Sequence, residues 1–321
     1  LSLVGSEMCI RDSSRTVMLH LFGRKNSVKE HEKEIDPATA TSEVILTPPA
    51  HCRLAPPKPK NPGDDEKARE IEQYVAEYRA AHPCPPDYEK FEQRWFSEPS
   101  LWHRYLRSTH GDVKHSKKRA IETLEWRRDY KPDIIPPDEV APEAETGKHV
   151  LTGFDKESRP ILYLRPGREN TKPSPRQIRY MVWTLERAID LMAPGQETLT
   201  IIVDFYGAHF SSMPSLGTAR HVANILQTHY VERLGRALVC HTPRFISAFF
   251  TALSPFLDPV TKDKIRFNPD NLTEFIDPDQ LDAQFPGGTY NYQFDFPKYW
   301  SALVERCNVA PDGTRKNMEA Q

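Results

Sequence analysis

Few side chains in this chain are placed to do chemistry. Asp204 closes the run TLTIIVDF and His241 follows RALVC, so both fall at strand ends, where an α/β enzyme places acids and bases. Their plainer roles are a turn aspartate and a hydrogen-bonded structural histidine. No G-x-S-x-G elbow, P-loop, G-x-G-x-x-G fingerprint or H-E-x-x-H accompanies them, so they are candidates without a constellation. Glu232 is different. In YVERLGRALVC it stands just before a buried-strand pattern, with Arg233 and Arg236 beside it. A carboxylate entering an apolar region needs a partner, because an unpaired buried charge is strongly disfavoured.

The other feature is TPRFISAFFTALSPFLDPVTKDKI, Thr242 to Ile265. On a helical wheel Phe245, Ile246, Phe249, Phe250, Leu253, Phe256 and Leu257 cover more than half the circumference, and Arg244, Ser247, Thr251 and Ser254 leave a narrow polar strip. The apolar run is too short to cross a bilayer, which takes about 20 residues. Two readings stay open: a fully buried core helix, or a separable element bracketed by Pro243 and Pro259.

Composition narrows the class. Among 321 residues, 43 basic and 45 acidic side chains nearly balance, which argues against a nucleic-acid partner. With 38% hydrophobic and 27% charged residues the chain reads as soluble. The cysteines Cys9, Cys52, Cys84, Cys240 and Cys307 are odd in number and lack C-x-x-C spacing. Neither a disulfide framework nor a zinc site is expected, and a reducing, cytoplasmic setting is the simpler reading. Catalytic residues, metal and cofactor are all expected to be absent.

The elements that must position these residues follow from pattern. Residues 1–13 resemble translated sequencing-adaptor peptides and are set aside; the natural start lies at Met18 or elsewhere. Residues 1–64 as a whole read as a disordered, proline-rich leader. Residues 65–140 read as an all-helical lobe of four helices, the third capped by Ser97 and the fourth by Asp112. Its Lys117-Lys118-Arg119 run reads as a solvated face. From 141 to 305 strands alternate with helices, which implies a mostly parallel sheet with helical cover. KHVLTGF and PILYLR form a hairpin. In SPRQIRYMVWTLERAIDLM, Ser174 and Gln177 suggest a capping box with Pro175 at the first helical position, and Ile178, Met181, Val182, Leu185, Ile189 and Met192 form the inner face. IRF is a further strand, NLTEFI and DPDQLDAQF are small helices, and 306–321 reads as a flexible tail.

Several of these stretches carry a family resemblance. YVERLGRALVCHTPRFISAFFTALSPFLDPVTKDKIRF closely resembles the core of the CRAL-TRIO lipid-exchange domain, in its fungal phosphatidylinositol-transfer branch. RYLRSTHGDVKHSKKRAIETLEWRRDY resembles that branch's N-terminal lobe. RPILYLRPGRENTKPSPRQIRYMVWTLERAIDLMAPGQETLTIIVDF and FPGG, Phe285 to Gly288, match in order, so the resemblance covers roughly residues 65–305. It implies a CRAL-TRIO type α/β fold: a mixed sheet flooring a lipid pocket, a gate helix, and the helical lobe. It implies a non-enzymatic protein that binds phosphatidylinositol and transfers it between membranes, exchanging it with a sterol or another apolar lipid.

By the same resemblance Glu232, Thr261 and Lys264 are headgroup residues. Phe245, Ile246, Phe249, Phe250, Leu253 and Phe256 face the pocket from the gate, and Leu199, Ile201 and Val203 form the floor. Two departures follow. Thr109 in LRSTH stands where many exchangers carry a headgroup arginine, although part of the branch shares the threonine. Leu199 and Ile201 replace the hydroxyl residues of phosphatidylcholine-binding members, which argues against that lipid. The expected partners are a lipid ligand, transiently contacted phospholipid membranes and lipid kinases. The protein is expected to be a monomer, cytoplasmic and peripherally membrane-associated. Three alternatives stay open: a sterol or apolar-ligand carrier without a phosphoinositide role, a hydrolase-like enzyme using Asp204 and His241, and an adaptor with a vestigial pocket.

Overall fold

The computed structural model describes residues 37–316. Four helices come first: α1 Asp64–Ala81, α2 Glu89–Phe96, α3 Leu101–Ser108 and α4 Val113–Tyr130. Their apolar stripes close on a small core that includes Ile71, Val75, Trp95, Trp102, Tyr105 and Leu124, as amphipathic helices must. Asp112 caps α4 by accepting from the His115 amide. α3 starts later than expected: Ser100, not Ser97, precedes it, in left-handed backbone and without a side-chain cap. The Leu101 amide closes a turn onto the Glu98 carbonyl instead, and the Glu98 carboxylate is drawn to Arg104 and Arg233. The basic run of α4 is not wholly solvated either, since Arg119 reaches the Gln227 carbonyl.

After α5, Pro137–Ala144, the sheet begins. Its strands are β1 His149–Phe154, β2 Pro160–Leu164, β3 Leu199–Asp204, β4 Leu234–Cys240 and β5 Ile265–Phe267. They lie in the order β1-β2-β3-β4-β5, with β1 antiparallel to β2 and the rest parallel. The crossovers are α6 Pro175–Asp190 and α7 Leu216–His229; after β4 come α8 Arg244–Leu253 and α9 Pro259–Asp263, and α10 Phe296–Arg306 follows β5. The two small helices expected after β5 are single 3-10 turns, Leu272–Glu274 and Pro278–Gln280.

α6 departs from its expected inner face. Tyr180, Val182, Trp183, Leu185 and Ala188 are buried, along with Glu186 and Arg187, while Ile178, Met181 and Ile189 are half-buried. The helix has neighbours on more than one side, so a single stripe understates what it buries. The capping box is absent: Ser174 makes no cap bond, and Gln177 donates to the Thr171 hydroxyl.

Both ends of the described chain correct the reading of a leader and a tail. Residues 41–46 lie along β1, which as an edge strand would otherwise present unpaired backbone. The Gly153 amide donates to the Ile45 carbonyl, the Ile45 amide to the Thr152 hydroxyl, the Tyr290 hydroxyl to the Glu43 carbonyl, and Leu46 is buried. The run Val44-Ile45-Leu46 is too short to show a period, and its partners lie more than a hundred residues away. At the other end Cys307 and Val309 are buried and Arg315 is clamped on Asp190. The described residues all belong to one compact unit. Residues 1–36, with the adaptor-like stretch, and 317–321 lie outside the described residues.

The FPGG segment closes the sheet domain by close approach. Gly287 has a left-handed φ of 83°, and a Cβ on Gly288 would sit 2.3 Å from the Asp282 carbonyl oxygen. Gly288→Ala is therefore expected to destabilise the protein by about 2 kcal/mol or more, in the range of backbone and overpacking changes; a melting curve within a degree of wild type would refute it.

Candidate functional site

The parallel ladders bring Leu162, Ile201, Ala237 and Ile265 into one row, and Leu164, Val203, Val239 and Phe267 into the next. Paired residues in a ladder point to the same face, and alternate residues to the other. On this face Leu164, Ile201, Val203, Ile265 and Phe267 are only half-buried, although β3 and β4 are interior strands. Their neighbours Thr200, Ile202, Asp204, Leu238 and Cys240, on the opposite face, are fully buried. The opposite face is thus fully packed, and this one is looser at those five positions only, since Leu162, Ala237 and Val239 on it are buried as well. Of the expected floor, Ile201 and Val203 stand on the loose face; Leu199 is fully buried in the main core.

α8 lies over this region. Ile246 seats against Phe205 and Val239, with Val203, Phe245, Phe250 and Phe267 around them. Only Ile246 and Leu253 of the helix are buried; Phe245, Phe249, Phe250 and, beyond it, Phe256 remain half-exposed. The helix is thus not a fully buried core helix: Phe245, Phe249 and Phe250 on it, and Phe256 beyond it, are only partly covered. Its C-terminal end is tied to α7, where Arg220 lies over the Phe256 ring. Gln227 of α7 donates to the Phe256 carbonyl and accepts from the Asp258 amide, both at 2.7 Å.

Glu232 has left-handed backbone and a side chain only 15% exposed. Its Oε2 accepts from Arg107 Nε at 2.7 Å and from Lys58 Nζ at 2.6 Å. Burial pushes this carboxyl up, but the two cationic donors outweigh it and hold it below its ordinary value. The adjacent arginines serve elsewhere: Arg233 pairs with Glu98, and Arg236 with Glu157. Arg107 and Lys58 are the partners of Glu232 that sequence reasoning missed. Arg107 lies two positions before Thr109, whose hydroxyl is committed to the end of α3 through the Tyr105 and Leu106 carbonyls. A second Arg107 nitrogen reaches Glu197 at 2.7 Å.

Lys264 closes α9 and is half-buried. Among the described residues its ammonium makes no hydrogen bond or ion pair, and it does not touch Glu232. Burial, with Lys58 nearby, lowers its pKa. The Thr261 hydroxyl donates to Asp258 Oδ2 at 2.6 Å, so it belongs to the N-cap of α9.

Asp204 and His241 do meet. Asp204 Oδ1 lies 2.7 Å from His241 Nδ1 and also accepts from the Tyr206 amide. Burial raises this carboxyl, while the histidine and the amide lower it further. His241 stacks on Phe285, at left-handed φ, just before α8. The pair thus secures the loop after β3 and the turn that leads into α8. A cavity of about 240 Å³ lies elsewhere, between α2, α3 and the end of α6, lined among others by Arg94, Glu98, Arg104, Arg127, Glu186 and Arg233. Its paired charges suit water, not acyl chains. Among the described residues one trio could hold a metal: His51, Cys52 and Asp277, with ligand atoms within 4.8 Å of one another. Burial pushes the Cys52 thiol up to about 11, so it is protonated at neutral pH.

With this geometry in hand, residues 144–287 match the family model described as the CRAL/TRIO domain. The chain carries a CRAL/TRIO domain. A CRAL-TRIO domain-containing protein of Schizosaccharomyces pombe is 42% identical over 284 residues, covering 87% of this chain and 28% of that protein. Phosphatidylinositol transfer protein PDR17 of Saccharomyces cerevisiae is 35% identical over 234 residues, covering 69% of this chain and 65% of its own. The chain spans less than two thirds of the length of these relatives. The crystal structure of Sfh5 superposes with a TM-score of 0.54 at 17% identity, over 67% of this chain and 83% of that one, and agrees in fold. The CRAL/TRIO match runs from the end of α5 to Gly287 and so contains the sheet, α8, Glu232, Thr261 and Lys264. Arg107 and Lys58 lie outside it.

Proposed function

We propose that this protein is a non-enzymatic lipid carrier that binds phosphatidylinositol in its CRAL/TRIO domain and moves it between membranes. The observation that carries this reading is the half-buried apolar set Ile201, Val203, Ile265 and Phe267, flanking the buried Ala237 and Val239 of β4, beneath a helix whose phenylalanines are also only half-buried, with Glu232, Arg107 and Lys264 near its end. A two-chain phospholipid has about 30 methylenes, each worth about 0.8 kcal/mol in transfer from water, so spontaneous desorption is prohibitively slow. A helix that trades contact with the pocket for contact with the bilayer removes that barrier without exposing its phenylalanines to water. Lys264 suits a phosphate as a compact charge with three donors, and Glu232 suits inositol hydroxyls. In this reading 65–140 is the helical lobe and 141–305 the lipid-binding domain. The protein works as a cytoplasmic monomer, docks transiently on membranes and presents lipid to lipid kinases; a sterol or another apolar lipid is the exchange ligand. Among the described residues no helix is long and apolar enough to cross a membrane.

The test is Glu232→Ala combined with Lys264→Ala. Each lost charge-assisted hydrogen bond is worth about 1.5–3 kcal/mol, so phosphatidylinositol transfer between liposomes should fall by about tenfold or more, with the melting temperature followed alongside. Unaltered transfer by the folded double variant would sink the headgroup assignment. Retained sterol transfer with phosphatidylinositol unaffected would favour a carrier of apolar ligands.

A further inference from the structure

The segment LAPPKPKNPG, residues 54–63, crosses from the sheet domain to α1 without secondary structure. Before it, the Arg53 amide bonds to the Lys156 carbonyl; after it, the Asp64 amide bonds to Asn61. Between these anchors, among the described residues, residues 54–60 make no backbone hydrogen bond. Apart from Ala55 every residue of the segment is exposed. Two lysines tie it to the protein: Lys60 pairs with Asp65 at the start of α1, and Lys58 with Glu232 near the sheet.

The sequence makes this a stiff arm. Pro56, Pro57, Pro59 and Pro62 fix their own φ and donate no amide, and Pro59 biases Lys58 toward extended backbone. Such a run holds a polyproline conformation with little entropy left to lose. Lys58 is therefore presented over Glu232 by backbone rigidity rather than by burial. In this cluster the Glu232 carboxylate takes two cations, Lys58 and Arg107, while the Lys264 ammonium makes no ion pair among the described residues and meets Glu232 and Asp258 only at longer range. An inositol phosphodiester brings the complementary set: hydroxyls that donate to a carboxylate, and a phosphate that accepts from ammonium groups.

We propose that residues 54–63 are a strap over the headgroup site and that Lys58, held beside that site by Glu232, is a headgroup ligand that joins Lys264 on the phosphate. This rests on the phosphatidylinositol reading above and adds to it a residue outside the CRAL/TRIO match. Recognition of the headgroup is then shared between the CRAL/TRIO domain and the segment that precedes the helical lobe.

The experiment compares full-length wild type with Lys58→Ala, Lys58→Glu and Lys58→Arg. Extraction of phosphatidylinositol from phosphatidylcholine vesicles should fall about tenfold for Lys58→Ala, the scale of one charge-assisted hydrogen bond. It should fall further for Lys58→Glu and be largely restored in Lys58→Arg. Extraction of dioleoylglycerol, which lacks a phosphate, should not change. Soluble glycerophosphoinositol should compete better against wild type than against Lys58→Ala, since the contact is to the headgroup and not the bilayer. Unchanged or increased phosphatidylinositol extraction by Lys58→Ala overturns the proposal, the increase meaning that the strap only blocks the site. An equal loss for dioleoylglycerol also overturns it, because the strap would then be merely structural. Should Glu232→Ala with Lys264→Ala abolish extraction while Lys58→Ala does not, the strap fails and the phosphatidylinositol reading stands. Should neither matter, both fall.

Discussion

Asp190→Ala is expected to destabilise the protein by about 3–5 kcal/mol, the cost of stranding buried charges whose partner is removed. Asp190 ends α6 with a side chain only 7% exposed. One oxygen accepts from Arg187 and Arg315 at 2.7 Å, the other from Arg94 at 2.6 Å. One carboxylate thus serves three guanidiniums, from α2, α6 and the C-terminal segment. Two nitrogens of the fully buried Arg187 already lack hydrogen-bond partners among the described residues, so the Trp183 ring beside its guanidinium would be left as weak compensation for its charge. At roughly 2–4 °C per kcal/mol for a domain of this size, the melting temperature should drop by roughly 10 °C; a loss under 1 kcal/mol would refute the assignment. The acid limb of stability offers a second readout. Burial raises the Asp190 pKa, but Arg187, Arg315 and Arg94 pull it down to about 2, below the unfolded value of about 3.9. A depressed folded-state pKa gives stability that is complete above the unfolded value and is lost as pH falls through the folded one. Wild type should therefore lose more stability than Asp190→Ala between about pH 4 and pH 2.

Ile246→Asp should have the largest effect on lipid handling. Ile246 is fully buried against Phe205 and Val239, and an unpaired carboxylate there costs several kcal/mol. Detaching α8 avoids that cost, because the helix buries little else: Leu253 and the halves of three phenylalanines. The expected result is fast hydrogen exchange across 243–257 and lipid transfer reduced more than about tenfold. The global melting temperature should move far less than for Asp190→Ala, since a locally open segment leaves the main core intact. Native-like exchange in this segment would show that α8 is not held by Ile246.

The same contrast between local and distant partners explains what the sequence made legible. TLTIIVDF and RALVC are dense in β-branched and apolar residues, and they are β3 and β4. Pro175 marked the first turn of α6, and Asp112 the cap of α4, because both act within four residues of themselves. The need of Glu232 for a partner was also readable, since it follows from charge and burial alone. The identity of that partner was not. Arg233 and Arg236 stood closest in sequence and Lys264 was suggested by resemblance, yet the contacts come from Arg107 and Lys58, 125 and 174 residues away. Segments 41–46 and 307–315 were misread for a related reason. They are held by backbone bonds to an edge strand and by a shared carboxylate, and neither leaves a period in the sequence. Ser174 and Ser97 show the reverse error, in which a good local signal loses to tertiary contacts.

The separation of Lys58 from Glu232 also sets a schedule. At about 5–20 residues per second of synthesis, Lys58 leaves the ribosome roughly 10–35 s before the carboxylate that will receive it, 174 residues later. Arg315, which completes the Asp190 cluster, comes later still. For that interval the strap waits beside unfinished β-strands. Its four prolines cannot donate to a growing ladder, so the composition that keeps the arm straight in the finished protein also keeps it out of the wrong sheet while the protein is being made.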